Sequence, residues 1–209
     1  MLVMAFDIGI KNFAVACVEV HQDPARTWSL RFMDNSNLED VVQDRVGELR
    51  EQRGAVPAVR GAVSAVRGGV RMQTMEGVQW AVYRALILHL DTMSRWFEQS
   101  PTILIEQQMS SKHKSNIKAL RLSQHLLAYL LIRYPSLNIV EFSPRHKTQK
   151  TGVKMTYSQR KKYAVDTVVQ QLEVQGDEVG KEWMMQWKKR DDVADCILMC
   201  LVHAGLMET

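Results

Sequence analysis

The 209-residue chain has three cysteines, Cys17, Cys196 and Cys200, and no paired CxxC spacing. An odd, unpaired set excludes a disulfide-stapled secreted scaffold and points to buried thiols in a reducing compartment. Cys196 and Cys200 stand one helical turn apart, but two ligands without a second pair do not make a structural zinc site. No apolar run reaches the roughly 18 residues that a membrane-spanning helix needs. The opening "MLVMAF" is too short for a secretory core and lacks a basic flank, and no Arg- and Ser-rich transit segment precedes it. The expectation is a fold that starts at the first residues, in one domain spanning 1–209.

Anions are almost missing from one long stretch. Between Gln107 and Val165 there are twelve cations and one anion, Glu141, although the whole chain carries only +4. The rest of the chain is therefore net acidic. A solvated helix face usually mixes signs, whereas a one-signed block threaded through apolar periodicity suits a phosphate-facing surface. Lys112, Lys114, Lys118, Arg121, Arg145 and Lys150 are the candidate nucleic-acid contacts in this block, with Lys188 and Lys189 further on. The bland alternative is a basic surface that only keeps the protein in solution.

What is present is a strand-rich start and a helix-rich remainder. Residues 2–7 and 13–20 are β-branched and apolar, separated by "GIKN", which reads as a hairpin. A third strand is expected near 28–33. Residues 53–71, "GAVPAVRGAVSAVRGGVR" with its preceding arginine, repeat with a period of seven and contain four glycines that weaken a helix. Two and a half copies are too few for a solenoid, so 36–73 is expected to be an insertion or flexible arm. Apolar spacing predicts helices over 76–97, 114–133, 158–173 and 191–206, and a short one around Trp183 and Trp187. "TILIE" at 102–106 and "LNIVEF" at 137–142 read as buried strands. Within 114–133, Ile117, Leu120, Leu127 and Leu131 are the expected inward face. Three strands followed by alternating helices and strands indicate an α/β fold: a mixed sheet with helices on both faces.

Three places can carry chemistry. Alternation puts Val3, Ala5 and Asp7 on one face of the first strand, so Asp7 ends a buried strand just before a glycine turn. Glu106 ends "TILIE", where a carboxylate is costly unless paired or bound to a cation. "KKRDDVADC", residues 188–196, crowds Asp191, Asp192 and Asp195 into five residues. Asp191 suits a helix cap. Asp192 and Asp195 are i and i+3, about 60° apart on a helix, away from the arc of Val193, Ile197 and Leu201. Asp191, i+4 from Asp195, stays a substitute. Four carboxylates can converge on paired divalent cations, with Lys188, Lys189 and Arg190 as counter-charge when no cation is bound.

In this order, "FDIGIKN", "LIEQQ", "SPRHK" and "KKRDDVADC" resemble the RuvC-type Holliday junction resolvases, above all those of poxviruses and other large DNA viruses, with the fungal mitochondrial resolvases as relatives. The likeness covers about 1–20 and 74–205. It implies an RNase H-like fold with a mixed five-stranded sheet. It also implies a homodimer and paired nicking of four-way DNA junctions with Mg²⁺ or Mn²⁺, two ions per site. Carried over, the metal-binding and catalytic carboxylates are Asp7, Glu106, Asp192 and Asp195, and Lys147 is the counterpart of an active-site lysine, with Lys150 close enough to compete. The cytoplasmic replication sites of a virus are the implied location, a mitochondrion the alternative. Other readings are an RNase H-like nuclease acting on RNA–DNA hybrid or structured nucleic acid, and a non-catalytic DNA-binding module. An actin-like ATPase is the weakest, since no second glycine-rich phosphate loop is present.

Overall fold

The computed structural model describes residues 1–41, 74–75, 78–99, 102–108, 110–111, 114–147 and 152–207. The arm at 36–73 with its repeat, apart from 36–41, lies outside the described residues, as do Lys112, His113 and Lys150.

Strands β1 (Leu2–Asp7), β2 (Phe13–Val20) and β3 (Trp28–Ser36) form an antiparallel meander. β4 (Thr102–Glu106) and β5 (Asn138–Phe142) add in parallel on the β1 side, giving the order β3-β2-β1-β4-β5. Both faces of this sheet are covered, so β1 reads as a nearly continuous apolar run rather than a clean alternation. Its alternation instead sorts residues between two cores. Val3 and Ala5 face one core, Met4 and Phe6 the other.

The second core is closed by α1 (Trp80–Thr92) and α2 (Ile117–Arg133). The helix expected from 76 begins at Trp80, because Val78–Gln79 pair with Thr74–Met75 as a short ribbon, and it breaks at Met93 before a last turn, Ser94–Phe97. In α2 the buried stripe is Ala119, Leu122, Leu126, Tyr129 and Leu130. The inward face expected from Ile117 and Leu131 is rotated: these are 42% and 54% exposed. Ala119 N–H donates to Asn116 Oδ1 at the helix start, and it is Leu122, Leu126 and Leu130 that fill the second core.

The first core is closed by α3 (Tyr157–Gln175), α4 (Glu178–Met185) and α5 (Arg190–His203). Thr156 and Gln159 form a reciprocal capping box at the start of α3, and Gly176, at φ 70°, ends it in the left-handed conformation. α5 lies between the sheet, against β1 and β2, and α3 on its outer side. It is therefore buried almost all round, from Asp192 to Leu201 apart from Asp195. Trp183 and Trp187 pack on the same core. All three cysteines are buried and free, and burial pushes the Cys17 thiol up to about 12. No helix among the described residues is long and apolar enough to cross a membrane.

Ile197 is fully buried in the middle of α5. Ile197→Ala should therefore destabilise the protein by about 2–5 kcal/mol. The check is a lower urea midpoint with an unchanged denaturant slope, and an unchanged midpoint would show that α5 does not hold the two layers together.

Candidate metal centre

The site grows from one detail of strand register. Phe6 of β1 pairs in parallel with Ile105 of β4, so Asp7 and Glu106 each follow one residue later, side by side at the carboxyl ends of the two strands. Each is two residues on from a side chain of the first core, Ala5 and Leu104 respectively, so period-two alternation aims both at the face that α5 covers. The turn that releases the chain after Asp7 needs glycine: a Cβ on Gly9 would stand 2.8 Å from the Asn12 carbonyl oxygen.

Two other elements bring the remaining groups. α5 crosses this end of β1 and presents Asp195 toward the pair. β5 stops at Phe142, and Ser143-Pro144 turns the chain into one 3₁₀ turn, Pro144–Lys147, that swings Lys147 inward. The Lys147 ammonium lies 2.9 Å from Glu106 Oε1 and 3.3 Å from Asp195 Oδ1, with only 8% of its side chain exposed. Burial works against that charge, but Glu106, Asp195 and Asp7 together outweigh it and raise the lysine pKa. Asp7 goes the other way. Burial, then the charge and hydrogen bond of Glu106, push its carboxyl well above the usual range, and Lys147 only partly compensates. Asp195 is likewise raised, by burial first, with Lys147 opposing and Glu106 and Asp192 adding.

Asp192 lies one turn before Asp195 and is 8% exposed. Its Oδ1 is 3.4 Å from Lys161 Nζ. Its Oδ2 is buried with no hydrogen-bond partner among the described residues. Burial raises its pKa, and Lys161 opposes. Asp191 does not cap α5. Lys189 occupies the cap position without a side-chain bond, and Asp191 is ion-paired with Lys161. Burial disfavours its charge, but Lys161 outweighs burial and holds the pKa below the usual value.

The counter-charge is thus not where the local sequence placed it. Lys147 and Lys161 provide it from other elements, with Lys189 only a lesser influence on Asp191 and Asp192. Sequence reading did not single out Lys161, yet a signal existed. The buried stripe of α3 runs Ala164, Val168, Leu172, and stepping back three residues puts a lysine where the stripe calls for an apolar side chain. A cation on a buried stripe needs a carboxylate partner.

The donor chemistry suits a hard divalent cation. The four carboxylates offer oxygens only: Asp7, Glu106 and Asp195 meet at the strand ends, and one oxygen of Asp192, a turn away from Asp195, has no partner among the described residues. Among the described residues no three acidic, histidine or cysteine side chains already stand in ligand geometry; Lys147 holds Glu106 and Asp195 to itself. The expected nucleic-acid contacts are distributed differently. Arg145 is exposed on the turn that carries Lys147, and Lys188 and Lys189 are exposed just before α5. Lys118 is exposed and Arg121 half-buried on α2, which covers the face of the sheet opposite α5. Lys114 lies in a two-residue strand, Lys114–Ser115, paired with Ser110–Ser111.

No protein-family profile matches the chain. The uncharacterized protein 97L of Invertebrate iridescent virus 3 is 29% identical over 218 residues, covering 97% of this chain and 98% of that protein. The fowlpox virus resolvase, solved with substrate Holliday junction DNA, superposes with a TM-score of 0.57 at 14% identity, covering all of both chains. The yeast mitochondrial Holliday junction resolvase Ydc2 gives 0.58 at 17% identity, covering 97% of this chain and 77% of that one. RuvC of Thermus thermophilus gives 0.53 at 10% identity, covering 99% and 96%. The mixed five-stranded α/β architecture is therefore the RNase H-like fold of the RuvC-type resolvases.

If the carboxylates are held together against their own repulsion, neutralising the most strained one should relieve the fold. Asp7→Asn should raise the thermal midpoint of cation-free protein by at least about 2 °C, since 1 kcal/mol moves a domain of this size by about 2–4 °C. The rise that Mg²⁺ produces in the wild type should shrink in the same variant. Differential scanning calorimetry with and without Mg²⁺ measures both. A lower midpoint for cation-free Asp7→Asn would contradict the description of the cluster.

Proposed function

We propose that this protein is a metal-dependent Holliday junction resolvase, a homodimer that nicks four-way DNA junctions in pairs at the cytoplasmic sites of viral DNA replication. The observation that carries the proposal is the convergence of Asp7, Glu106 and Asp195, from two strand ends and one helix, around a buried ammonium. The fold shared with two viral and mitochondrial junction resolvases and with RuvC supports it, and a relative from a large DNA virus matches along the whole chain.

In this reading Asp7, Glu106, Asp192 and Asp195 would hold two Mg²⁺ or Mn²⁺ ions. Such ions lower the pKa of an attacking water and offset the charge on the leaving oxygen of a phosphodiester. The chain's own residues do the rest. Asp7 and Glu106, fixed by the register of neighbouring strands, define the floor. Asp192 and Asp195 close it from α5. Lys147, held between Glu106 and Asp195, is the cation placed to meet a non-bridging oxygen of the scissile phosphate. Arg145, on the turn that carries Lys147, and Lys188 and Lys189, just before α5, take the flanking phosphates, with Lys118 and Arg121 of α2 as further contacts, without reading bases.

A dimer suits two symmetric cuts. Leu131 and Ile132, 54% and 78% exposed at the end of α2, are apolar surface that a second copy can cover.

The test is cleavage of a synthetic four-way junction in Mg²⁺. Asp192→Asn should cut at least about a hundredfold more slowly than wild type, in keeping with the loss of one electrostatic group at a reacting phosphate, while still binding the junction. Lys147→Met should also bind and cut slowly. Wild-type rates in Asp192→Asn would dismiss the metal centre. Cleavage of an RNA–DNA hybrid in preference to the junction would dismiss the substrate.

A further inference from the structure

Beside the carboxylates, on the far side of Asp191, lies an open groove of about 840 Å³ between the first turns of α3, the end of α4 and the start of α5. Five cations line it, Lys161, Lys162, Lys188, Lys189 and Arg190, against two aspartates, Asp166 and Asp191. Asp191 is already paired with Lys161. Two helices begin at the groove, so the positive ends of both dipoles add to the side-chain charge. These cations come from two segments, α3 and the run Lys188–Arg190, and after Lys161 is paired with Asp191 the groove keeps an excess of positive charge.

The groove also holds an aromatic ring that the core does not use. Tyr157, at the first position of α3, is 67% exposed. The Lys161 ammonium sits 5.1 Å from its ring centroid, yet the residue stays mostly exposed. Exposed aromatics interleaved with cations form the surface on which unpaired bases stack while their phosphates run along the charges. Lys161 joins this surface to the metal centre directly, because the same ammonium reaches Asp191 and Asp192.

We infer that this groove is a channel for a single nucleic-acid strand, that Tyr157 stacks one unpaired base in it, and that it delivers the backbone to the carboxylates past Lys161. The inference rests on the nuclease reading for what happens at the far end, but the channel itself binds whether or not the strand is cut. At a four-way junction the strand entering it is one that leaves its duplex at the crossover.

Binding is measured by fluorescence anisotropy with a labelled single-stranded DNA oligonucleotide, without divalent cation, over a range of salt. Tyr157→Ala and Lys162→Glu change exposed side chains, and unchanged circular dichroism and thermal midpoint confirm that both variants are folded. Tyr157→Ala should weaken oligonucleotide binding about tenfold, with no effect on binding of inorganic polyphosphate, which has no bases. Lys162→Glu should weaken both ligands and lower the steepness of the salt dependence by about one contact. Oligonucleotide binding at wild-type strength in either variant overturns the channel. An equal loss of polyphosphate binding in Tyr157→Ala overturns the stacking role. A wild-type protein that binds the oligonucleotide in these ways but never cuts a junction with Mg²⁺ contradicts the resolvase reading and leaves the channel supported.

Discussion

Negative charges held in a poorly solvated cleft repel one another, and that repulsion is the constraint around which this molecule is arranged. Asp7, Glu106 and Asp195 reach the same point from β1, β4 and α5, and a single ammonium, Lys147 Nζ, lies between two of them. A buried carboxylate without a partner costs several kcal/mol. The cluster persists because other parts of the fold over-determine it. Strand register fixes Asp7 and Glu106, and the burial of α5 on both sides fixes Asp195. Lys161 plays the matching part for Asp191 and Asp192. The two lysines offset the repulsion among these carboxylates when no cation is bound.

This arrangement explains why the helical layer over the first core is so heavily packed. α5 must lie flat on β1 and β2 to bring Asp195 over the strand ends, so its opposite side needs α3 as cover. The cover brings Lys161 with it. One helix pair thus builds the core, places two carboxylates and supplies a counter-ion. The other face of the sheet, closed by α1 and α2, has no comparable burden, and α2 keeps apolar side chains such as Ile132 outside.

Much of the sheet was legible because its signals are local. Alternation and the "GIKN" turn expose the hairpin, and Asp7 and Glu106 announce themselves as charges at the ends of apolar strands. The i, i+3 spacing of Asp192 and Asp195 is visible without any tertiary information. What was not legible depends on partners distant in sequence. Asp191 reads as a cap until Lys161, thirty residues away, is seen to claim it. The phase of α2 is not visible from Ile117 and Leu131, because packing against the sheet and the neighbouring α1 decides which of its apolar residues turn inward. The cations at 188–190 are adjacent to the aspartates in sequence yet line the groove, since the helix start directs them outward.

The fold and the cluster lead together to a nuclease reading. The fold alone is compatible with binding without cleavage, whereas buried carboxylates facing a phosphate backbone are a liability for a pure binder. A nuclease of this kind requires that the cluster take up cations. Anomalous scattering from a crystal soaked in Mn²⁺ tests this directly. Strong peaks are expected in contact with the carboxylates of Asp7 and Asp192, with the Lys147 ammonium moved away from Glu106. Full Mn²⁺ soaks that leave no peak at these carboxylates, with Lys147 still bound to Glu106 and Asp195, would contradict the nuclease reading.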